Sequence, residues 1–177
     1  MKPTTRALTI ALAMLAGGCA GDDIQLGAAG TAPVAAADIR DAAGAVKAHS
    51  EVKLAPGGLR IGVKADAMAA GTYGIHIHAV GRCDAPGFTS AGPHWNPTAR
   101  QHGKDNPQGM HHGDLPNIVI GADGRGSLDF VIAGATPADL LDADGAAVVI
   151  HAGPDDYRTD PSGNSGARVA CGVLAAP

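Results

Sequence analysis

Histidine is the residue type whose spacing in this chain points most directly to chemistry. The chain has eight histidines, and His76 and His78 lie in the apolar run GIHIHAV (residues 74–80). Strand alternation would place both imidazoles on one face, where both could reach a single metal ion. Histidine is the commonest metal ligand in proteins. The alternative is a polar strip on a solvated strand face.

More histidines follow in residues 84–115, a long connection that contains His94, His102, His111 and His112. In MHHGD, His111 and Asp114 are close enough in sequence to present an imidazole and a carboxylate to one ion, and both groups are accepted zinc ligands. His151 ends the apolar run AAVVIH, where an edge residue with satisfied hydrogen bonds is the alternative to a ligand. His49 and His112 are interpreted as ordinary residues.

These side chains need a scaffold, and the sequence favours short strands. Runs rich in Val, Ile or Leu alternate with Gly, Pro and Asp, as in LRIGVKADAM, PNIVIGA, GSLDFVIAG and AAVVIHA. About seven or eight such strands are typical of an antiparallel sandwich or barrel. One short helix is predicted in TPADLLDADG, with Thr136 as N-cap and Pro137 at the first helical position. Residues 84–115 and 153–166 remain as long loops, which tend to be functional.

The length and net charge of the chain indicate one domain that does not bind nucleic acid. A chain of 177 residues fits one domain with a sizeable core. Removal of residues 1–18 takes away Lys2 and Arg6 and changes the net charge from −4 to −6, with 11 basic against 17 acidic residues. This balance, without a basic run, argues against nucleic acid as a partner.

The N-terminus has the layout of an export signal. A basic start (Lys2, Arg6) precedes an apolar stretch at residues 7–15 and then small residues. The stretch is shorter than the roughly 20 residues that a bilayer span needs. LAGGC resembles a bacterial lipobox, which predicts lipid on Cys19. An ordinary secretory signal cut nearby is the alternative.

We therefore expect a signal peptide at residues 1–18, a flexible tether at 19–38, where small residues dominate, and a folded domain at 39–177. We expect the protein to be exported, either to the periplasm or as a membrane-anchored lipoprotein that faces the periplasm or the outside. Membrane lipid would be a partner through Cys19.

The cysteine count agrees with export. The chain has three cysteines, and an odd number in an exported protein needs an explanation. If Cys19 carries lipid, Cys83 and Cys171 remain as a pair that an oxidising compartment would keep bonded. Their separation of 171 − 83 = 88 residues corresponds to about 4 to 5 kcal/mol in the chain-entropy description.

Taken in order, these motifs resemble the copper/zinc superoxide dismutase family, in its bacterial exported form. The series is HIH, Cys83, FTSAGPH, HG, HHGDLPN, VVIH and GARVACGV, from about Ala43 to Val173. The resemblance implies an eight-stranded antiparallel Greek-key β-barrel or sandwich with two long functional loops, with copper and zinc as cofactors. It implies conversion of superoxide to oxygen and hydrogen peroxide by one-electron cycling of copper. Monomer and homodimer both stay open.

The resemblance also assigns the metal ligands residue by residue. The copper ligands would be His76, His78, His94 and His151. The zinc ligands would be His94, His102, His111 and Asp114. His94 would then bridge the two metals, with zinc in a closed structural site.

Other residues are assigned around these ligands. The resemblance makes Arg168, in GARVACG, the catalytic arginine that holds the incoming anion beside copper, together with His94. Without the motif, Arg168 would be interpreted as a surface arginine. Asp155 would hydrogen-bond ligand histidines of both metals from outside, and Cys83–Cys171 would be the family disulfide.

Other readings of the same residues stay open. One is a catalytically inactive metal-binding or copper-handling module of the same fold. A zinc hydrolase would need an open coordination position and a general base, and the sequence has no HExxH motif. An all-β interaction domain with incidental histidines is the last alternative.

Overall fold

The structure is a computed structural model that describes Met1 and residues 32–177. The rest of the predicted signal peptide, Cys19 and residues 19–31 of the predicted tether lie outside the described residues. Within the described part, no helix combines the length and the apolar character that a membrane span requires. Residues 32–177 lie in one compact unit.

Nine strands and one α-helix form in the described part of the chain. The strands are β1 (Ala35–Asp41), β2 (Val46–Ala55), β3 (Gly58–Ala65), β4 (Gly71–Tyr73), β5 (Ile75–His78), β6 (Ile118–Ile120), β7 (Gly126–Ala133), β8 (Ala146–His151) and β9 (Arg168–Leu174). The helix, α1, spans Pro137–Leu140. A short 3-10 helix covers Thr89–Ala91.

The strands form a curled antiparallel sheet. Its order is β5-β8-β9-β1-β2-β3-β7, and β4 pairs separately with β6. Only Gly74 separates β4 from β5, so the two form one interrupted strand whose first part pairs with β6 and whose second part pairs with β8. Counted in this way, the described part of the chain has eight strands. The last strand lies between β8 and β1, a non-sequential order typical of Greek-key connections. The predicted all-β antiparallel Greek-key architecture is confirmed.

Strand β1 begins earlier than the predicted domain start at residue 39. Ala35 and Ile39 are fully buried, and the strand pairs with β2 on one side and with β9 on the other. The predicted tether therefore ends before Ala35. The run AAAD lacks the alternation that marks a half-exposed strand, so its residue pattern does not predict a strand.

The predicted helix is confirmed at its predicted start. The Thr136 side chain accepts a hydrogen bond from the Asp139 N–H at 3.2 Å, and Pro137 occupies the first turn. Leu140 is buried against the barrel core. The helix is a single short turn, as expected for a connection before β8.

The described residues contain two clusters of buried apolar side chains. The barrel interior is filled by alternate residues of the strands, including Ile75 and Ile77 of β5. A smaller cluster on β8 and β9 contains Phe88, Ala91 and Val149. The predicted disulfide between Cys83 and Cys171 is present beside it, with the two Cα atoms 5.7 Å apart. This bond joins the first long loop to β9.

Candidate metal centre

Strand β5 supplies the platform of the site. Ile75 and Ile77 pack into the barrel core, so alternation sends His76 and His78 to the other face. That face is not solvated, because the two histidines are 0% and 1% exposed. The interpretation as a solvated polar strip is therefore wrong.

The first long loop runs along the free edge of β5. Trp95 N–H donates to the Ile77 carbonyl at 2.8 Å, and Ile77 N–H donates to the Gly113 carbonyl at 2.9 Å. A Cβ added at Gly113 would overlap the Ile77 carbonyl oxygen, so only glycine permits this approach. These contacts carry His94 and Asp114 to the two histidines of β5.

Four buried histidines converge at one point. Their ligand atoms lie within 4.8 Å of one another. The group consists of His76, His78, His94 and His151. In each ring one nitrogen has no hydrogen-bond partner among the described residues: Nδ1 of His76 and Nε2 of His78, His94 and His151. Buried polar atoms are normally paired, and four imidazole nitrogens are a donor set that suits copper(II).

The other ring nitrogens of this group are anchored. His78 Nδ1 donates to the Gly92 carbonyl at 2.8 Å, and His151 Nδ1 donates to the Gly166 carbonyl at 3.1 Å. Such bonds place the proton on the anchored nitrogen and leave a lone pair on the free one. The tautomers of both rings therefore fit metal ligation.

A second group surrounds Asp114. The Nδ1 atoms of His94, His102 and His111 lie 2.9, 2.9 and 3.1 Å from Asp114 Oδ1. Ligands at zinc bond lengths lie about 3.3 Å apart at the corners of a tetrahedron. Three nitrogens and one carboxylate oxygen at nearly this spacing fit a closed zinc site.

His94 belongs to both groups. Its Nδ1 faces Asp114, while its Nε2 is one of the unpaired nitrogens of the first group. One imidazole therefore connects the two sets of ligands, as a bridging ligand would.

A family comparison agrees with this geometry. The family model described as copper/zinc superoxide dismutase (SODC) matches residues 42–174. The chain belongs to the copper/zinc superoxide dismutase family. Copper and zinc are accordingly its metals, and each of the two groups described above could hold one ion.

Relatives in this family come from several bacteria. The chain is 43% identical over 152 residues to a superoxide dismutase [Cu-Zn] of Caulobacter vibrioides, covering 81% of this chain and 84% of that protein. It is 45% identical over 123 residues to the superoxide dismutase-like protein YojM of Bacillus subtilis. That match covers 66% of this chain and 63% of YojM, slightly under two thirds of its length.

A solved structure shows the same fold. The crystal structure of a double mutant of a SOD-like protein from Bacillus subtilis is 40% identical to this chain, with a TM-score of 0.74. The match covers 78% of this chain and 95% of that one. The dismutase fold therefore accounts for most of the described residues.

Burial keeps most histidines of this dismutase-family site neutral. It lowers the pKa of His76 to about 3, of His78 to about 2 and of His151 to about 4, and it lowers the pKa of His94. A metal ligand has to be deprotonated. These rings are therefore already in the protonation state that ligation needs at neutral pH.

The surroundings of Asp114 favour positive charge. Burial acts to raise the pKa of Asp114, but hydrogen bonds from His102, His111 and His94 outweigh it and hold that pKa well below its usual range. Burial also opposes charge on His102, yet its bonds to Asp114 and Asp155 raise its pKa to about 9. The pocket thus stabilises a cation where zinc would bind.

Asp155 connects the two groups from the second long loop. Its Oδ2 accepts from His76 Nε2 at 2.8 Å, and its Oδ1 accepts from His102 Nε2 at 3.0 Å. The carboxylate is almost fully buried. Burial acts to raise the pKa of Asp155, but the hydrogen bonds from His102 and His76 keep it below its usual range. The structure thus places Asp155 against one histidine of each group.

Arg168 lies beside the histidines of the first group, at the start of β9. Its guanidinium donates to the Phe88 carbonyl and to the Gly92 carbonyl, each at 2.7 Å. The Gly92 carbonyl also accepts from His78. One backbone oxygen therefore orients both the arginine and a histidine of β5.

Histidines interpreted as ordinary lie outside both groups. His49 is exposed and pairs with Asp38 at 2.7 Å. The ring of His112 packs on Trp95, which is buried, with the ring centroids 5.3 Å apart. Neither belongs to a candidate ligand group.

The residue types alone predict no role for Asn117, yet it contacts Asp155 twice. Its Oδ1 accepts from the Asp155 N–H at 2.8 Å, and its Nδ2 donates to the Asp155 carbonyl at 3.0 Å. The available signal was its position in HHGDLPN, directly after the ligands. The role of the Gly92 carbonyl is likewise not predictable from sequence, because a backbone acceptor leaves no mark in the residue types.

Proposed function

We propose that this protein is a superoxide dismutase that converts superoxide to oxygen and hydrogen peroxide. The proposed copper ligands are His76, His78, His94 and His151, and the proposed zinc ligands are His94, His102, His111 and Asp114. The observation that carries the proposal is the set of buried, unpaired ring nitrogens that shares His94 with the Asp114 group.

The bound metals divide the work. Copper would supply one-electron oxidation and reduction, whereas zinc, which has no redox chemistry, would be structural. The chain's part is to hold the ligands rigidly. Backbone carbonyls orient His78 and His151, and Asp155 fixes the rings of His76 and His102. Such outer contacts set ligand orientation and basicity.

His94 and Arg168 are the proposed catalytic residues. His94 Nε2 can take up and release a proton, while its Nδ1 stays held on the Asp114 side. Arg168 keeps its charge and carries several donors in a planar fork. The two backbone carbonyls occupy only part of that fork. The remaining donors can hold the incoming anion.

A second candidate is an inactive metal-binding module of the same fold. The relative YojM is called superoxide dismutase-like, so the family contains proteins not simply named as enzymes. In this chain every proposed ligand position holds a histidine or aspartate, and Arg168 lies beside the first group. This arrangement favours the enzyme.

Metal analysis with a superoxide-consumption assay tests the proposal. We expect a single copper and a single zinc ion per chain, with activity that chelation removes. His151→Ala should lose copper and activity, while the matched control His49→Ala should keep both, because His49 is exposed and pairs with Asp38. Full copper loading without superoxide consumption would establish the inactive module instead.

We also propose that the protein is exported and anchored through lipid on Cys19. The basic and apolar N-terminal pattern supports export, and the Cys83–Cys171 bond suits an oxidising compartment. Mass spectrometry of the mature N-terminus should find a lipid-modified Cys19. An unmodified start upstream or downstream of that residue would refute the anchor.

A further inference from the structure

Tyr157 lies in the second long loop, close to the carboxylate that joins the two groups of ligands. Its N–H donates to Asp155 Oδ1 at 2.6 Å. The same oxygen accepts from His102 Nε2 at 3.0 Å, while Oδ2 faces His76. The backbone of Tyr157 therefore helps to fix the rotation of the carboxylate.

The hydroxyl of Tyr157 is connected to Asp155 indirectly, through Asn117. It accepts a hydrogen bond from the Asn117 N–H at 2.8 Å. The side chain of Asn117 in turn bonds the N–H and the carbonyl of Asp155. Tyr157 thus holds Asp155 both directly and through Asn117.

Tyr157 also contacts the first long loop beside His102. Its carbonyl accepts from the Asp105 N–H at 3.1 Å, and the ammonium of Lys104 lies 4.2 Å from its ring centroid. A Cβ added at Gly103 would overlap the Tyr157 carbonyl. Gly103 N–H donates to Asp114 Oδ2 at 2.9 Å, so this contact reaches the Asp114 group.

The backbone of Tyr157 is unusual. Its φ is +63°, in the left-handed region that bulky residues avoid. Such a conformation persists where surrounding contacts impose it. Here the contacts come from Asp155, Asn117, Lys104 and Asp105.

We propose that Tyr157 is a positioning residue whose hydroxyl, through Asn117, holds Asp155 between His76 and His102 and so raises the zinc affinity of the site. The inference rests on the proposed function in that it takes His102 as a zinc ligand. No role in the chemical step is involved.

Zinc affinity measured against a chromophoric chelator tests this inference. Tyr157→Phe removes only the hydroxyl and should weaken zinc binding about fivefold, the effect of one lost hydrogen bond. Asp155→Asn should weaken it about 10- to 100-fold. Tyr73→Phe is the matched control, because its hydroxyl donates to the Ala69 carbonyl at 3.0 Å, outside both ligand groups, and its affinity should not change.

A double-mutant cycle separates positioning from general stabilisation. If Tyr157 acts through Asp155, Tyr157→Phe should weaken zinc binding little further in the Asp155→Asn background. The absorption spectrum of Co²⁺ bound in the zinc ligand set should change in Tyr157→Phe and not in Tyr73→Phe.

Equal zinc affinity of Tyr157→Phe and the unmodified protein would overturn the positioning role alone. The same loss in both backgrounds would also overturn it, because Tyr157 would then act independently of Asp155. An unmodified protein that binds no zinc would overturn the metal centre itself and this inference with it. Absence of superoxide consumption by a protein loaded with both copper and zinc would overturn only the proposed function.

Discussion

At the scale of single residues, each proposed copper ligand divides its two ring nitrogens between an anchor and a free position. His78 and His151 are anchored through Nδ1, but His76 is anchored through Nε2, because that atom reaches Asp155. His94 uses Nδ1 toward Asp114 and leaves Nε2 to the first group. The position of the anchor, and not the residue type, decides which nitrogen is available.

The shared position of His94 predicts unequal effects of two substitutions. His94→Ala should lower both copper and zinc content, because the ring faces both groups. Asp114→Ala should empty mainly the zinc site, since its carboxylate contacts His102, His111 and only the Nδ1 side of His94. Elemental analysis of the purified variants measures both metals. Normal zinc content in His94→Ala would contradict the bridge.

At the scale of elements, rigid strands carry the histidines at 76, 78 and 151, and long loops carry the remaining ligands. The first loop is tied to the barrel by the disulfide and by packing of Phe88 and Ala91 against β8 and β9. Arg168 reaches the same loop through the Phe88 carbonyl. The position of the arginine therefore depends on how firmly that loop is held.

Reduction of the Cys83–Cys171 bond should weaken this arrangement. The closed loop of 88 residues predicts a loss of about 4 to 5 kcal/mol in the free energy of unfolding. Chemical denaturation with and without reductant measures the loss, and limited proteolysis should show faster cleavage within residues 84–115. Unchanged protease resistance after reduction would count against a role of the bond in holding the loop.

At the scale of the whole molecule, some histidines of the metal-free centre have lowered pKa values and one has a raised pKa. His76, His78 and His151 are kept neutral by burial, whereas the carboxylates of Asp114 and Asp155 favour a charged His102. Each preference links folding to pH, but in opposite directions. The metal-free fold should therefore be most stable near the ordinary pKa of histidine.

The expected stability profile follows from those shifts. Below pH 6.5 the three histidines become protonated in the unfolded chain but stay neutral in the folded protein, because their pKa values are lowered there. The free energy of unfolding should therefore fall as the pH drops toward 4, by about 1 kcal/mol per pH unit for each ring. His102, whose pKa is raised to about 9, contributes stability that is lost as the pH rises from 6.5 through 9. Urea denaturation of the metal-free protein across this range measures the profile, and a flat curve would contradict it.

Local spacing was enough to predict the elements that carry the strand histidines. Alternation in HIH places two imidazoles opposite Ile75 and Ile77, and the Thr136–Pro137 pair marks the start of α1. Strand β1 was not predicted, because its alanines carry no alternation and its burial comes from β2 and β9. A pattern within one segment cannot report which neighbours will cover it.

The sequence by itself determined the kinds of donor atoms, their order along the chain and the cysteines available for a bond. Only the tertiary structure decided which nitrogen of each ring stays free, that the Gly92 carbonyl serves both Arg168 and His78, and that Tyr157 meets both long loops. The physical reason is that the decisive hydrogen-bond partners, such as His76 and Asp155 or Arg168 and Gly92, lie far apart in the chain. Their meeting depends on the closure of the barrel and not on any local periodicity.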